Sequence, residues 1–433
     1  MVFAIAVPMT LAYSSVPLLG IVDTGVVGQL NDPAMLGGLA VGAILFDLIF
    51  STFNFLRAST TGLVAQAMGA GDEEQQRIIF IRSLLLAVIC GLILLALSPL
   101  ILQFSLFVMD VPENVATATA TYFTIRVLAA PFTLINYSVL GWLLGQARAN
   151  TGLLVQTFLN GVNIALSLSL GLWLGWGLEG VAWATVVGEF LTVVLGLAIF
   201  FRSSRGQGPI NWVRVRNPEA IKRLLAVNSD IMVRSFCLLF AFAFFTAQGG
   251  KFGETTLAAN AVLMNFFMIA GYFLDGFATA AEQLVGRSVG ARYRPSFDRS
   301  VRLTILWGYT LAAMLTLIFL IAGPWLIDIL TVNEMVRGEA RHYLAWAAIS
   351  AIVGVLAFQM DGVFIGATWS REMRNMMLLS LAIFIVAWYV LTPAFGNHGL
   401  WAALQIFFGV RGISLYWRLR DKADGAFPPP ISL

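Results

Sequence analysis

Twelve apolar runs follow one another along the chain, and polar or charged residues gather in the short stretches between them. A spanning helix needs about 20 mostly apolar residues. The runs fall at roughly 2–30, 35–58, 79–101, 118–144, 152–174, 179–201, 224–248, 256–280, 303–323, 342–366, 376–393 and 399–417. The first run lacks a basic start, continues to about Leu30 and contains Pro8, Pro17 and Asp23. It therefore reads as a spanning helix rather than a signal peptide, any tail ahead of it being short, lost or absent.

The longest polar connection, from Arg202 to Arg223, divides the runs six and six, and the two sides match. LAVGAIL at 39–45 pairs with LAANAVL at 257–263, an offset of 218. After a three-residue insertion, Gly69-Ala70 pairs with Gly290-Ala291, Tyr122 with Tyr343, and GWLLG at 141–145 with GVFIG at 362–366, all at 221. Six helices per half, in the same orientation, predict parallel repeats related by a pseudo-two-fold axis along the membrane normal, as in alternating-access carriers. The expected fold is an all-α polytopic membrane protein. Residues 1–201 form an N-lobe, 202–223 a cytoplasmic linker and 224–433 a C-lobe.

Composition agrees: 59% of the 433 residues are hydrophobic and 11% charged, against roughly 25% charged in soluble domains. The net charge of +3 is small and scattered, so nucleic acid is not an expected partner. The expected partners are the lipid bilayer and small-molecule substrates, with the chain a monomer. Placing the N-terminus inside puts Arg77, Arg148, the Arg202–Arg223 linker, Arg287, Arg292, Arg294, Arg299, Arg371, Arg374, Arg418, Arg420 and Lys422 on the cytoplasmic side, with Lys251, Arg337 and Arg341 outside. Both termini are thus expected in the cytoplasm. The two cysteines, Cys90 and Cys237, lie in apolar runs without metal-ligand spacing and read as small core or lipid-facing residues.

Ionisable groups at bilayer depth are costly and are functional candidates by default. Asp23 lies about seven residues, about 10 Å, from the outer end of helix 1. Pro8 and Pro17 cannot donate to the carbonyls of Ala4 and Tyr13, so each is a weak point in that helix. Gly20, Gly25 and Gly28 are expected to allow close helix approach. On helix 5, Gln156, Asn160, Asn163 and Ser167 are spaced by 4, 3 and 4 and share one face; Thr185 and Glu189 are four apart on helix 6. So many polar groups favour a wet cavity over mere helix adhesion. In the second half, Asp361 lies within helix 10 and Asp275 within helix 8, while Asp230 reads as a solvated or locally paired terminal charge four residues from Arg234. An offset of 218 would place Arg57 opposite Asp275 in the repeat, suggesting an ion pair across a central cleft.

No GxxxxGK[ST], HExxH or GxSxG occurs, and His342 and His398 sit near predicted outer helix ends. ATP-driven pumping and those hydrolytic chemistries are therefore not expected, nor is any cofactor or bound metal.

PLLGIVDTGVVGQL in helix 1, FLRASTTGLVAQAMGAGD in helix 2 and its loop, YFLDGFATAAEQLVGRSVGA in helix 8 and DGVFIGATWSREMRN in helix 10 closely resemble the multidrug and toxic compound extrusion (MATE) family, in its DNA-damage-inducible protein F-like (DinF) branch. The resemblance covers nearly the whole chain. It implies a V-shaped secondary transporter exporting cationic or amphipathic drugs in exchange for protons or sodium ions across the inner membrane. It matches Asp23 to the family's cation-coupling aspartate, Asn163 and Thr185 to its helix 5 asparagine and helix 6 threonine, and Pro8 to a helix 1 proline where protonation-linked bending is expected. The family's second N-lobe acid is replaced here by Ser167. Asp361 is the counterpart of a C-lobe acid used for sodium.

The expected mechanism is proton exchange. Desolvation disfavours the carboxylate of Asp23, while hydrogen bonds from Asn163 and Thr185 favour it. Protonation from outside breaks that network, helix 1 shifts about Pro8 or Pro17, and the drug leaves. Alternatives are sodium exchange through a C-lobe site and, from a different class, a lipid-precursor flippase; an intramembrane enzyme or channel lacks the residues it would need.

Overall fold

The computed structural model describes residues 1–30 and 32–427. Every regular element among them is helical, and 12 helices are long and apolar enough to cross a membrane. In chain order these are α1 Val2–Gly28, α2 Pro33–Gly69, α3 Glu73–Met109, α4 Glu113–Gly145, α5 Ala149–Trp173, α6 Gly177–Ser203, α7 Pro218–Phe252, α8 Glu254–Gly290, α9 Arg294–Leu330, α10 Glu334–Gly366, α11 Ser370–Phe395 and α12 Asn397–Ala426. They match the twelve apolar runs but mostly reach further. Hydropathy marks only the part of a helix that needs lipid, whereas the ladder continues through polar end turns. The start of α3 is an example: Asp72 caps it by accepting from the Gln75 amide (2.7 Å), with Glu73 and Glu74 in the first turn, where the helix dipole favours acids.

Contacts between Cα atoms divide the chain into two compact units. Unit 1 holds Met1–Thr10, Met68–Gly71 and Ala226–Leu433; unit 2 holds Leu11–Ala67 and Asp72–Leu225. In unit 1 the start of α1 packs on α8 and α9, with the Phe3 ring 5.7 Å from Phe277 and 4.7 Å from Trp307. The core of this unit joins Phe245, Phe266, Phe319, Phe384, Trp401 and Phe407. In unit 2, one core layer gathers Phe80, Trp142 and Phe200, and another Phe46, Tyr122 and Phe123. The linker is part of unit 2 and packs on α3: Arg82 Nε donates to the Val215 carbonyl (2.9 Å), and Arg214 pairs with Asp72 and Glu74.

Two helices are interrupted. α1 consists of Val2–Ser14 and Val16–Gly28 with a turn at Ser15, and Pro17 sits in the first turn of the second segment, where its missing N–H does least harm. Pro8 lies inside the first segment without ending it. α2 breaks at Phe53-Asn54, between Pro33–Thr52 and Phe55–Gly69.

Close helix approach does not use the glycines of α1. Among the described residues, nothing lies within 4 Å of a Cβ built on Gly20, Gly25 or Gly28, which corrects the packing role expected of them. The tight crossings use the repeated glycines instead. A Cβ on Gly141 would strike the Arg57 carbonyl and one on Gly145 would meet the Thr61 carbonyl; on Gly362 and Gly366 it would strike the carbonyls of Ala278 and Glu282. These two pairs of contacts are equivalent at an offset of 221. The three-residue insertion is thus already complete at Arg57, which matches Ala278 and not Asp275, while Asn54, at the break in α2, matches Asp275. The equivalence drawn at 218 is corrected accordingly.

Because backbone oxygens cannot swing aside, Gly362→Val is expected to cost about 3 kcal/mol through overpacking. Gly20→Ala, in open space, should change stability by less than about 1 kcal/mol. Thermal unfolding of the two purified variants checks both.

Candidate functional site

The site grows from the meeting of α1, α5 and α6 in unit 2. α5 runs as an ordinary helix over Ala149–Leu166 and then widens into a π-helical stretch, Ser167–Trp173. Such widenings are rare and favour functional positions. The polar face of Gln156, Asn160, Asn163 and Ser167 therefore ends where regular α geometry ends. Gly175 and Gly177, at φ 73° and 56°, then turn the chain into α6 in a conformation that glycine adopts without strain.

Asp23, half-buried on the second segment of α1, accepts from Ser167 Oγ at 2.8 Å. The fully buried Ser167 hydroxyl has one proton; its other acceptor, Asn163 Oδ1, lies at 3.4 Å, so the bond to the carboxylate is favoured. Asn163 Nδ2 donates to Thr185 Oγ1 (3.1 Å), and Thr185 Oγ1 to the Val181 carbonyl (3.4 Å). Asn163 and Thr185, expected to donate to Asp23, thus reach it only through Ser167. The residue that replaced an acid is the one that touches the aspartate.

One turn earlier on α5, Asn160 Nδ2 donates to Ser15 Oγ (2.6 Å), which donates to the Ala12 carbonyl (2.7 Å). Gln156 Nε2 donates to Asn160 Oδ1 (3.1 Å). Asn160 therefore holds the break in α1, two residues before Pro17, rather than Asp23 itself. Glu189 is held separately: Asn136 Nδ2 donates to its Oε2 at 2.6 Å.

In unit 1, Asp361 is buried and its Oδ2 accepts from both Arg234 and Arg411; the Arg411 side chain is 2% exposed. Asp230 is neither solvated nor paired with Arg234. It is 8% exposed, accepts from Ser370 Oγ (2.8 Å) and pairs with Arg374 (2.6 Å), a partner 144 residues away that periodicity does not reveal. Arg57 Nε donates to Asn54 Oδ1 (3.1 Å) within unit 2. In unit 1 the Asp275 carbonyl accepts from Thr279 Oγ1 (2.8 Å).

The MatE family model matches residues 8–168 and 231–390, one segment in each half and together well over half of the chain. The chain belongs to the MatE family. DNA damage-inducible protein F of Escherichia coli K12 is 37% identical over 417 residues, covering 96% of this chain and 91% of that protein. A protein of Acinetobacter baylyi described as probable multidrug resistance protein NorM is 26% identical over 422 residues, covering 93% of this chain and 91% of that protein. Among solved structures, a MOP superfamily transporter from Pyrococcus furiosus superposes with a TM-score of 0.90 over 98% of this chain and 96% of that one, at 18% identity; at that identity the match speaks to fold. This MatE protein is a multi-pass membrane transporter of the multidrug-efflux type, not an enzyme.

Two charged residues near this candidate site escaped the sequence reading. Arg126, near the middle of α4, is the cation whose field reaches Asp23, Asp47 and Glu189. Its guanidinium lies 4.6 Å from the centroid of the Phe46 ring and donates to the Tyr122 hydroxyl (2.8 Å), a cation–π and hydrogen-bond seat that fixes its position. Asp47 on α2 stands within the same field. An arginine inside an apolar run is itself a signal, and both residues were visible as such.

Proposed function

We propose that this protein exports cationic or amphipathic drugs in exchange for protons, with Asp23 as the proton-carrying group, working as a monomer in the inner membrane with both termini in the cytoplasm. The observation that carries the reading is the contrast between two acids within spanning helices, Asp23 half-buried and Asp361 buried. Asp23 has one hydroxyl donor, Ser167, and stands free to trade a proton for a cation. Asp361 already holds two guanidiniums on one oxygen, so its charge is compensated and a sodium ion on its other oxygen would sit against two fixed cations.

In the outward-open state the Asp23 carboxylate attracts a cationic drug and accepts the charge-assisted bond from Ser167. A proton arriving from outside neutralises it, the drug loses its counter-charge, and the Ser167 bond falls to roughly half its strength. The second segment of α1 is then less firmly tied to α5, and the break at Ser15, held by Asn160 and followed by Pro17, is where α1 yields; Pro8 is a second weak point. After the switch the proton leaves inward. The driving force is about 1.4 kcal/mol per unit of pH difference, plus about 2.3 kcal/mol per 100 mV for each net charge moved.

Ser167→Ala tests the reading. It withdraws a bond that favours the carboxylate over the acid, so the pH profile of ethidium efflux moves toward alkaline values. The same profile in the variant and the parent would remove Ser167 and Asp23 from the coupling step.

A further inference from the structure

Unit 1 carries a groove of about 960 Å³ between α9 and α12 that the transport chemistry leaves unused. Its two ends differ in chemistry. Arg294, Asp298, Arg302 and Arg420 line one end, with a net positive charge, and Ile305, Leu306, Leu356 and Tyr416 the other. We propose that this groove binds an anionic phospholipid, with its phosphate on Arg302 and Arg420 and an acyl chain along the apolar wall.

The charge pattern selects the ligand. Arg294 is engaged, through Asp424 Oδ1 at 2.6 Å and Asp298 Oδ2 at 3.6 Å. Arg302 and Arg420 have no ion-pair or hydrogen-bond partner among the described residues, and both are exposed. Two guanidiniums without ion-pair partners, against the single lining carboxylate Asp298 that Arg294 engages, suit a group that is anionic at one end and hydrocarbon at the other. A cationic drug would be repelled there.

Depth selects it as well. From Arg302 to the lining residue Tyr309 is about 10 Å along α9 at 1.5 Å per residue, most of the roughly 15 Å of hydrocarbon in one leaflet. Leu306 and Tyr416 are 55% and 49% exposed, so lipid, not protein, covers that wall. The proposed orientation places the arginine end at the cytoplasmic leaflet, whose lipids carry the negative charge that basic pockets between spanning helices recruit.

Native mass spectrometry of the full-length protein, titrated with phosphatidylglycerol and separately with phosphatidylcholine, tests this without reference to transport. Phosphatidylglycerol is expected to bind more tightly. The double variant R302A/R420A should lose about 30-fold in phosphatidylglycerol affinity, which is about 2 kcal/mol at 1.4 kcal/mol per factor of ten, with phosphatidylcholine unchanged. R202A/R205A removes the same charge from the linker end of α6 and should leave both affinities unaltered. Unchanged melting temperatures confirm folding of these exposed variants. Equal binding of the two lipids, retention of phosphatidylglycerol by R302A/R420A, an equal loss in R202A/R205A, or displacement of the bound lipid by inorganic phosphate alone would each overturn the proposal.

Discussion

Asp23→Asn is expected to reduce pH-driven drug efflux to the level of protein-free vesicles while leaving the amount of folded protein in the membrane unchanged. The amide keeps the shape of the side chain, and its oxygen still accepts from Ser167 Oγ, which lies 2.8 Å from Asp23 Oδ1. It carries neither a titrating proton nor a charge to offer a cation, so both halves of the exchange lose their common group. Asp23 is only half-buried, and its hydrogen-bond partner is a hydroxyl rather than a dependent ion pair. The variant should therefore melt within about 1 kcal/mol of the parent, as most substitutions outside the packed core do. Vesicle efflux and thermal unfolding on one preparation check both halves. Normal efflux would move coupling elsewhere, with Asp361 next in line.

Asp361→Asn should show the reverse signature. Its carboxylate is the shared acceptor for Arg234 and Arg411, and the Arg411 side chain is almost fully enclosed. Removing the negative charge takes away the buried acceptor that both guanidiniums share, which costs about 3–5 kcal/mol in comparable buried pairs. Against a total stability of order 5–15 kcal/mol, that is enough to lower the melting temperature sharply and to reduce yield. The fraction that folds should still use protons, because its Asp23 is intact. An unchanged melting temperature combined with lost coupling would make Asp361 the coupling acid instead.

How far the chain could be read beforehand depended on the range of the signal. The spans were legible because lipid demands about 20 apolar residues whatever surrounds them. The face shared by Asn160, Asn163 and Ser167 was legible because helical spacing is local, as was the weakness at Pro17, where α1 breaks. The hydrogen-bond order was not: which of Ser167, Asn163 and Thr185 touches Asp23 depends on the π-helical stretch that starts at Ser167, and no residue type announces it. Asp230 with Arg374, and Asp361 with Arg411, are pairings set by packing between distant helices. Arg126 was legible and overlooked. The offset at Arg57 was misread because the matching segments do not say where between residues 45 and 69 the insertion falls, and the glycine crossings show that it is complete by Arg57.

The central claim is that protons, exchanged at Asp23, drive export. Its most direct test is ethidium transport in proteoliposomes of the parent protein under a proton gradient alone and then under a sodium gradient alone, with the membrane potential clamped to zero. The account predicts transport with the proton gradient, none above background with sodium, and loss of the proton-driven signal in Asp23→Asn. Transport driven by sodium with no proton gradient would contradict it.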